Sequence, residues 1–132
     1  MIGSRSALLR VCVPVLCALA LLLVPAAAQA AKGSTQVGLR VLTNGTLYKY
    51  KVKVKSDRRS CRKNRDVTVW HDEDRSGVYE SGEYVLGSGN TNNKGKFKFV
   101  TDVIPPVGDY VGVLVEGTSK CKEFQESHPL QS

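Results

Sequence analysis

The stretch that decides the fold is residues 47–56, which read L-Y-K-Y-K-V-K-V-K-S. Tyrosine or valine occupies every second position from Tyr48 to Val54, and lysine occupies the positions between and after them. Because side chains on a β-strand point alternately to opposite faces, this pattern predicts a strand with an apolar core face and a lysine-bearing solvent face. A row of lysines also discourages an exposed strand edge from pairing with another molecule.

Shorter segments with a similar alternation follow along the chain, at residues 67–71, 84–89, 96–100 and 110–116. Turn-forming residues separate them, among them Asn92-Asn93-Lys94-Gly95 and Pro105-Pro106-Val107-Gly108. Short strands at this spacing, without a helical pattern, predict an all-β fold, a small antiparallel β-sandwich. We expect the sandwich over residues 46–124, a flexible lead-in over 31–45 and a polar, fraying tail over 125–132.

The first thirty residues have the three parts of an export signal. Arg5 and Arg10 precede an apolar run, and the segment ends in Ala28-Gln29-Ala30. This order predicts a cleavable signal peptide over residues 1–30. The apolar run of about 14 residues is shorter than the roughly 20 of a membrane span, so a permanent anchor is the weaker alternative. We expect a secreted, extracellular product of bacterial origin, or a periplasmic one if the source is Gram-negative.

Two cysteines remain after cleavage, because Cys12 and Cys17 lie inside the apolar run. Export implies an oxidising compartment, so we expect a disulfide between Cys61 and Cys121. Closing a loop of about 60 residues stabilises the fold by roughly 4 kcal/mol in the chain-entropy model. Two free thiols or a metal-binding pair are the alternatives, but neither cysteine has a CxxC motif or a nearby histidine.

Charge is distributed unevenly along the exported part of the chain. Residues 72–83, here called the acidic loop, hold five acidic side chains and one basic one. Positive charge predominates elsewhere, and one cluster precedes the acidic loop at Arg58, Arg59, Arg62, Lys63 and Arg65. Such a cluster predicts binding of anionic polymers, with a solvated basic face as the alternative.

The acidic loop matches the 12-residue pattern of a calcium-binding loop. Calcium takes six to eight oxygen ligands, so alternate residues of a tight loop converge on one ion, and Gly77 provides the sharp turn. The predicted ligands are Asp72, Asp74, Ser76, Val78, Glu80 and Glu83. The flanking segments are strands, which excludes a helix–loop–helix domain. A solvated acidic turn is the alternative, although a cation would relieve the repulsion among the crowded carboxylates.

A family resemblance rests on three segments of the chain. The first is Val69-Trp70-His71-Asp72-Glu73-Asp74 with Gly77 and Glu80-Ser81-Gly82-Glu83. The others are Thr91 with Lys94-Gly95-Lys96-Phe97-Lys98-Phe99, and Pro106-Val107-Gly108-Asp109-Tyr110. Together they resemble the calcium-binding B-type repeats of Gram-positive surface adhesins over about residues 66–116. The resemblance implies a seven-stranded, transthyretin-like or Cna-B-like sandwich with structural calcium. A single copy and the two cysteines depart from that family.

Catalytic motifs are not recognisable in this sequence. His71 and His128 belong to no ligand or triad motif, no serine has a nucleophile-elbow context, and no mature cysteine is expected to be free. Trp70 is either a carbohydrate-stacking platform or a core side chain.

We therefore expect a monomeric, non-enzymatic structural or binding module with a calcium-stabilised loop. The alternative is an electrostatic binder of anionic cell-envelope polymers, through a basic face and without metal. The expected partner is such a polymer or another surface protein, rather than nucleic acid.

Overall fold

The structure, a computed structural model, describes residues 31–130, so the predicted signal peptide lies outside the described residues. The described part contains seven strands and one short 3-10 turn, Arg59–Cys61. The strands are β1 (Gln36–Asn44), β2 (Leu47–Lys55), β3 (Asp66–Asp72), β4 (Tyr84–Asn90), β5 (Lys96–Thr101), β6 (Tyr110–Val115) and β7 (Phe124–Pro129). Over residues 31–130 no helix is long and apolar enough to cross a membrane.

The strands form two antiparallel sheets that pack as a sandwich. The three-stranded sheet has the order β1-β2-β5, and the four-stranded sheet has the order β4-β3-β6-β7. A tight hairpin joins β1 to β2, where Asn44 pairs with Leu47 and Gly45 has a φ of 65°. Cys61 and Cys121 form a disulfide with a Cα–Cα distance of 5.6 Å. The predicted all-β sandwich with this disulfide is therefore confirmed.

The core lies between the two sheets and is built mainly from β-branched residues. Tyr50, Val52 and Val54 of β2 are almost fully buried, which confirms the predicted apolar face of this strand. The ring of Tyr50 stacks on Phe99 of β5 at 4.8 Å between centroids. The opposite sheet contributes Val67, Val69, Leu86, Val111, Val113 and Val115.

Two strands occupy segments that the sequence predicts to be irregular. β1 covers most of the predicted flexible lead-in, and β7 covers most of the predicted fraying tail, so both predictions are wrong for these residues. In β1, Gly38 and the adjacent Val41-Leu42 pair obscure the alternation of Val37 and Leu39. In β7, the polar sequence FQESHP is held by backbone pairing with β6. An edge strand that is half exposed needs little apolar sequence of its own.

The sheets approach closely where β4 crosses β5, and two glycines make this approach possible. A Cβ atom at Gly87 would lie 2.6 Å from the ring of Phe99, and one at Gly89 would lie 2.4 Å from the ring of Phe97. Gly38 of β1 is different, because a Cβ atom there would meet no atom within 4 Å. Packing therefore requires glycine in β4 but not at Gly38.

We expect Gly87→Ala to lower the free energy of unfolding by about 1–3 kcal/mol, because the added methyl group overpacks the Phe99 contact. Gly38→Ala is the matched control, and it should be neutral or stabilising by up to about 1 kcal/mol. Urea denaturation of the two variants measures both effects. Equal stability of the two variants would contradict the assigned packing.

Candidate metal centre

The acidic loop connects β3 to β4 and is held against the four-stranded sheet by three contacts. The ring of Tyr79 meets the ring of Trp70 edge-on at 5.5 Å between centroids. The backbone N–H of Tyr79 donates to Oε1 of Gln125 at 2.9 Å, which ties the loop to β7. The guanidinium of Arg75 lies 5.1 Å from the ring centroid of Tyr110 in β6. The loop is therefore anchored to three strands of one sheet.

Trp70 is a packing residue rather than a binding platform. Its side chain is fully buried, and its ring fills the space above Gly112, where a Cβ atom would lie 2.3 Å away. Tyr79 from the acidic loop also contacts it. A carbohydrate-stacking platform needs an exposed ring face, so that alternative from the sequence is wrong.

Two positive φ angles shape the turn after β3. Gly77 has a φ of 72° and Arg75 has a φ of 57°. This conformation directs the N–H of Gly77 to Oδ2 of Asp72 at 2.8 Å. The hydroxyl of Ser127 in β7 donates to the same oxygen at 2.5 Å. Oδ2 of Asp72 thus joins the end of β3, the turn and β7.

The other oxygen of Asp72 defines the candidate centre. The Asp72 side chain is fully buried, yet its Oδ1 has no hydrogen-bond partner among the described residues. Oε1 of Glu83 is likewise buried and without a partner. Carboxylate oxygens of Asp72, Asp74 and Glu83 all lie within 4.8 Å of one another. Buried carboxylate oxygens are costly unless they are paired, so this cluster is suited to hold a cation.

The two buried carboxylates have opposite pKa shifts. Burial alone would raise the pKa of Asp72, but hydrogen bonds from Ser127 and Gly77 hold this pKa below its ordinary value. Asp72 is therefore ionised at neutral pH. Burial raises the pKa of Glu83, and repulsion from Asp74 and Asp72 adds to the rise. The repulsion among these anions is what a bound cation would remove.

Three of the six predicted ligands come together, namely Asp72, Asp74 and Glu83. The hydroxyl of Ser76 donates to the carbonyl of Val78 at 3.0 Å, so these two bond to each other within the turn. The carboxylate of Glu80 is not part of the cluster, although its backbone N–H donates to Oε2 of Glu83 at 2.8 Å. Coordination by Ser76, Val78 and Glu80 remains a prediction from the loop pattern.

Sequence reasoning missed the contribution of β7 to this site. Ser127 and Gln125 hold the acidic loop from about 45 to 55 residues away along the chain. No local signal identifies them, because their strand was predicted to be a fraying tail. A third contact that the sequence did not predict joins Nε2 of His71 to Oδ2 of Asp109 at 2.9 Å.

The predicted basic cluster is not a single surface patch. Arg65 is only 2% exposed, and its guanidinium donates to the carbonyls of Cys61, Glu116 and Lys122 at 2.8–2.9 Å. Its role in anion binding is therefore a wrong prediction, because its donors are used to join three backbone segments beside the disulfide. Arg62 is exposed, but two of its nitrogens donate to the carbonyl of Ser56. The remaining members, Arg58, Arg59 and Lys63, are exposed.

We expect Arg65→Met to lower the free energy of unfolding by about 3 kcal/mol or more, because buried carbonyls lose their charged donor. Lys63→Met is the matched control on an exposed side chain, and its effect should stay within about 0.5 kcal/mol. Denaturant unfolding under non-reducing conditions measures both. If Arg65→Met were as stable as Lys63→Met, the guanidinium would not join these segments.

Comparison with known proteins does not assign the chain to a family. No protein-family model matches the chain, and no significantly similar curated protein or solved structure was found. The fold and the site define a disulfide-bonded β-sandwich with a cluster of three carboxylates at one end. The resemblance to B-type repeats remains a prediction from the quoted segments.

Proposed function

We propose that the protein is a secreted, non-enzymatic structural or binding module whose acidic loop is stabilised by calcium. The observation that carries this proposal is the fully buried Asp72 carboxylate, whose Oδ1 lacks a hydrogen-bond partner and which clusters with the carboxylates of Asp74 and Glu83. An acidic loop that is only a solvated turn does not account for a buried carboxylate oxygen without a partner at its base. Calcium binding accounts for both the burial and the missing partner.

The donor set favours calcium over other common metal ions. The clustered side chains of Asp72, Asp74 and Glu83 offer only oxygen atoms. Zinc is held mainly by cysteine and histidine, whereas calcium takes six to eight oxygens from carboxylates, carbonyls and water in flexible geometries. Asp74 is exposed, so water has access to the remaining coordination positions. Magnesium demands a stricter octahedral arrangement and a smaller cavity.

A calcium ion at this position has a structural consequence. Asp72 ends β3, and Glu83 immediately precedes β4, so one ion would join both ends of the acidic loop. Asp72 is also bonded to Ser127 of β7. Calcium would therefore fix the loop to the four-stranded sheet, which is the structural role that the resemblance to B-type repeats implies.

Two observations support the secreted and non-enzymatic parts of the proposal. The Cys61–Cys121 disulfide is of a kind that persists in oxidising compartments, in agreement with the predicted signal peptide. Over residues 31–130, no serine or threonine hydroxyl is hydrogen-bonded to His71 or His128. A catalytic serine or threonine hydroxyl is usually hydrogen-bonded to a general base such as histidine.

The test is thermal melting of the protein purified after export, with calcium and with a chelator. Calcium about a hundredfold above its Kd should add about 2.7 kcal/mol of stability, which raises the Tm by roughly 10–20 °C. Glu83→Gln should lose most of this rise, because it removes a clustered carboxylate. Glu73→Gln, which makes the same charge change in the same loop at an exposed residue outside the predicted ligands, should keep it.

Two outcomes would contradict the proposal. Identical melting curves in calcium and chelator would make the acidic loop an ordinary turn. An equal loss of the calcium response in Glu73→Gln and Glu83→Gln would mean that calcium responds to the total charge of the loop rather than to the cluster.

A further inference from the structure

The outer face of the three-stranded sheet carries only basic charges. The strand register places Arg40 of β1 and Lys98 of β5 on either side of Lys51. Lys53 lies in the next row, between Gly38 and Lys96. This surface, here called the cationic face, comprises Arg40, Lys49, Lys51, Lys53, Lys55, Lys96 and Lys98. It is distinct from the cluster that the sequence predicts around residues 58–65.

The charges of the cationic face are not neutralised within the described part of the protein. The ion pairs found among residues 31–130 join His71 to Glu73 and Asp109, and His128 to Glu126. None of them includes a residue of the cationic face. Lys49, Lys98, Arg40 and Lys96 together lower the pKa of Lys51, with Lys49 the largest cause. Like charges on opposite strand positions are destabilising, so an external anion would relieve a built-in repulsion.

A glycine lines a depression on this face. Gly38 lies inside β1, where glycine weakens a strand, and a Cβ atom there would meet nothing within 4 Å. The depression has a volume of about 480 Å³. The depression is lined by Gln36, Val37, Gly38, Arg40, Lys51, Val52, Lys53, Lys55 and Lys96. A strand glycine that packing does not require is typical of a place where a ligand approaches the backbone.

The depression continues beyond the sheet. A second one of about 730 Å³ shares Gln36, Lys53 and Lys55 with the first. It extends to Arg59, Arg62 and Lys94 at the adjoining corner. The acidic member of its lining, Asp57, accepts hydrogen bonds from the backbone N–H and the hydroxyl of Ser34 at 2.9 and 3.0 Å. The two depressions, which adjoin at Gln36, Lys53 and Lys55, are here together called the trough, and most of the charged side chains that line them are basic.

We propose that this trough binds a linear phosphodiester polymer without bases, whose backbone passes over Gly38 and continues past Lys55. Alternate lysines on a strand are about 6.7 Å apart, which suits a chain whose successive charges are separated by several bonds. Lysine binds phosphate as a point charge, and no aromatic side chain lines the trough to stack on a base. The trough therefore suits a glycerol-phosphate polymer, which offers a charged backbone and no bases, better than a single-stranded nucleic acid.

The proposal is independent of calcium binding, and polymer titration tests it. The exported protein is titrated into two labelled probes with equal numbers of phosphates, a poly(glycerol phosphate) and an oligothymidylate. With about five phosphates neutralised, the logarithm of the affinity should fall with the logarithm of salt concentration at a slope of about −3.5. The poly(glycerol phosphate) should bind at least as tightly as the oligothymidylate, because no side chain of the trough stacks on a base, and a clear preference for the oligothymidylate would contradict the proposal.

Three variants locate the binding site. Lys53→Glu should weaken binding about tenfold and reduce the salt slope by about 1. Gly38→Glu should also weaken binding, because it places a carboxylate on the floor of the trough without a steric clash. Lys120→Glu makes the same charge change as Lys53→Glu at an exposed position outside the trough, and it should bind nearly as the natural protein does.

Three results would overturn the proposal. Equal losses of polymer affinity in Lys53→Glu and Lys120→Glu would mean that the net charge of the protein, rather than the trough, determines binding. Binding to vesicles of phosphatidylglycerol without binding to either polymer would identify a membrane surface as the partner. Absence of binding to both polymers at low salt, by a protein that melts cooperatively, would exclude a phosphodiester site.

Discussion

The buried carboxylate of Asp72 is the constraint on which one end of this molecule depends. One oxygen is held by the Gly77 amide and the Ser127 hydroxyl, and this pair of bonds keeps the group ionised despite its burial. The other oxygen has no hydrogen-bond partner among the described residues, and the carboxylate as a whole clusters with those of Asp74 and Glu83. A buried carboxylate that has one oxygen without a partner would be stabilised by a nearby positive charge. Among residues 31–130 no basic side chain forms an ion pair with this cluster, which is why we propose calcium in that role.

The acidic loop and the cationic face have opposite electrostatic character. The four-stranded sheet supports the acidic loop, whereas the outer face of the three-stranded sheet bears lysine and arginine. Each of the two holds like charges that repel one another, and each would be stabilised by an external ion of opposite sign. Beside the disulfide, Arg65 joins carbonyls from three segments through hydrogen bonds. The proposed functions thus follow from uncompensated charge on a stable scaffold.

Sequence alone predicted the elements whose local pattern matches their environment. The Tyr48–Val54 alternation predicted β2, and oxidising export predicted the Cys61–Cys121 disulfide. Prediction from the sequence failed for β1 and β7, because pairing with a neighbouring strand, rather than an alternation in their own sequence, holds these segments in place. The loop spacing placed Asp72, Asp74 and Glu83 correctly in one cluster. It could not predict Ser127, which reaches Asp72 only through the β6–β7 pairing, nor the burial of Arg65, which sits in a run of exposed basic residues.

The most direct test of the central claim is a calorimetric titration of calcium into the chelator-treated protein. The account predicts saturable binding of one calcium ion per chain, abolished in Asp72→Asn and retained in an Asp57→Asn variant, whose carboxylate lies outside the cluster. Near-ultraviolet circular dichroism establishes that both variants are folded. Absence of binding at millimolar calcium by the folded natural protein would contradict the account, and the acidic loop would then be an ordinary turn on an otherwise unchanged sandwich.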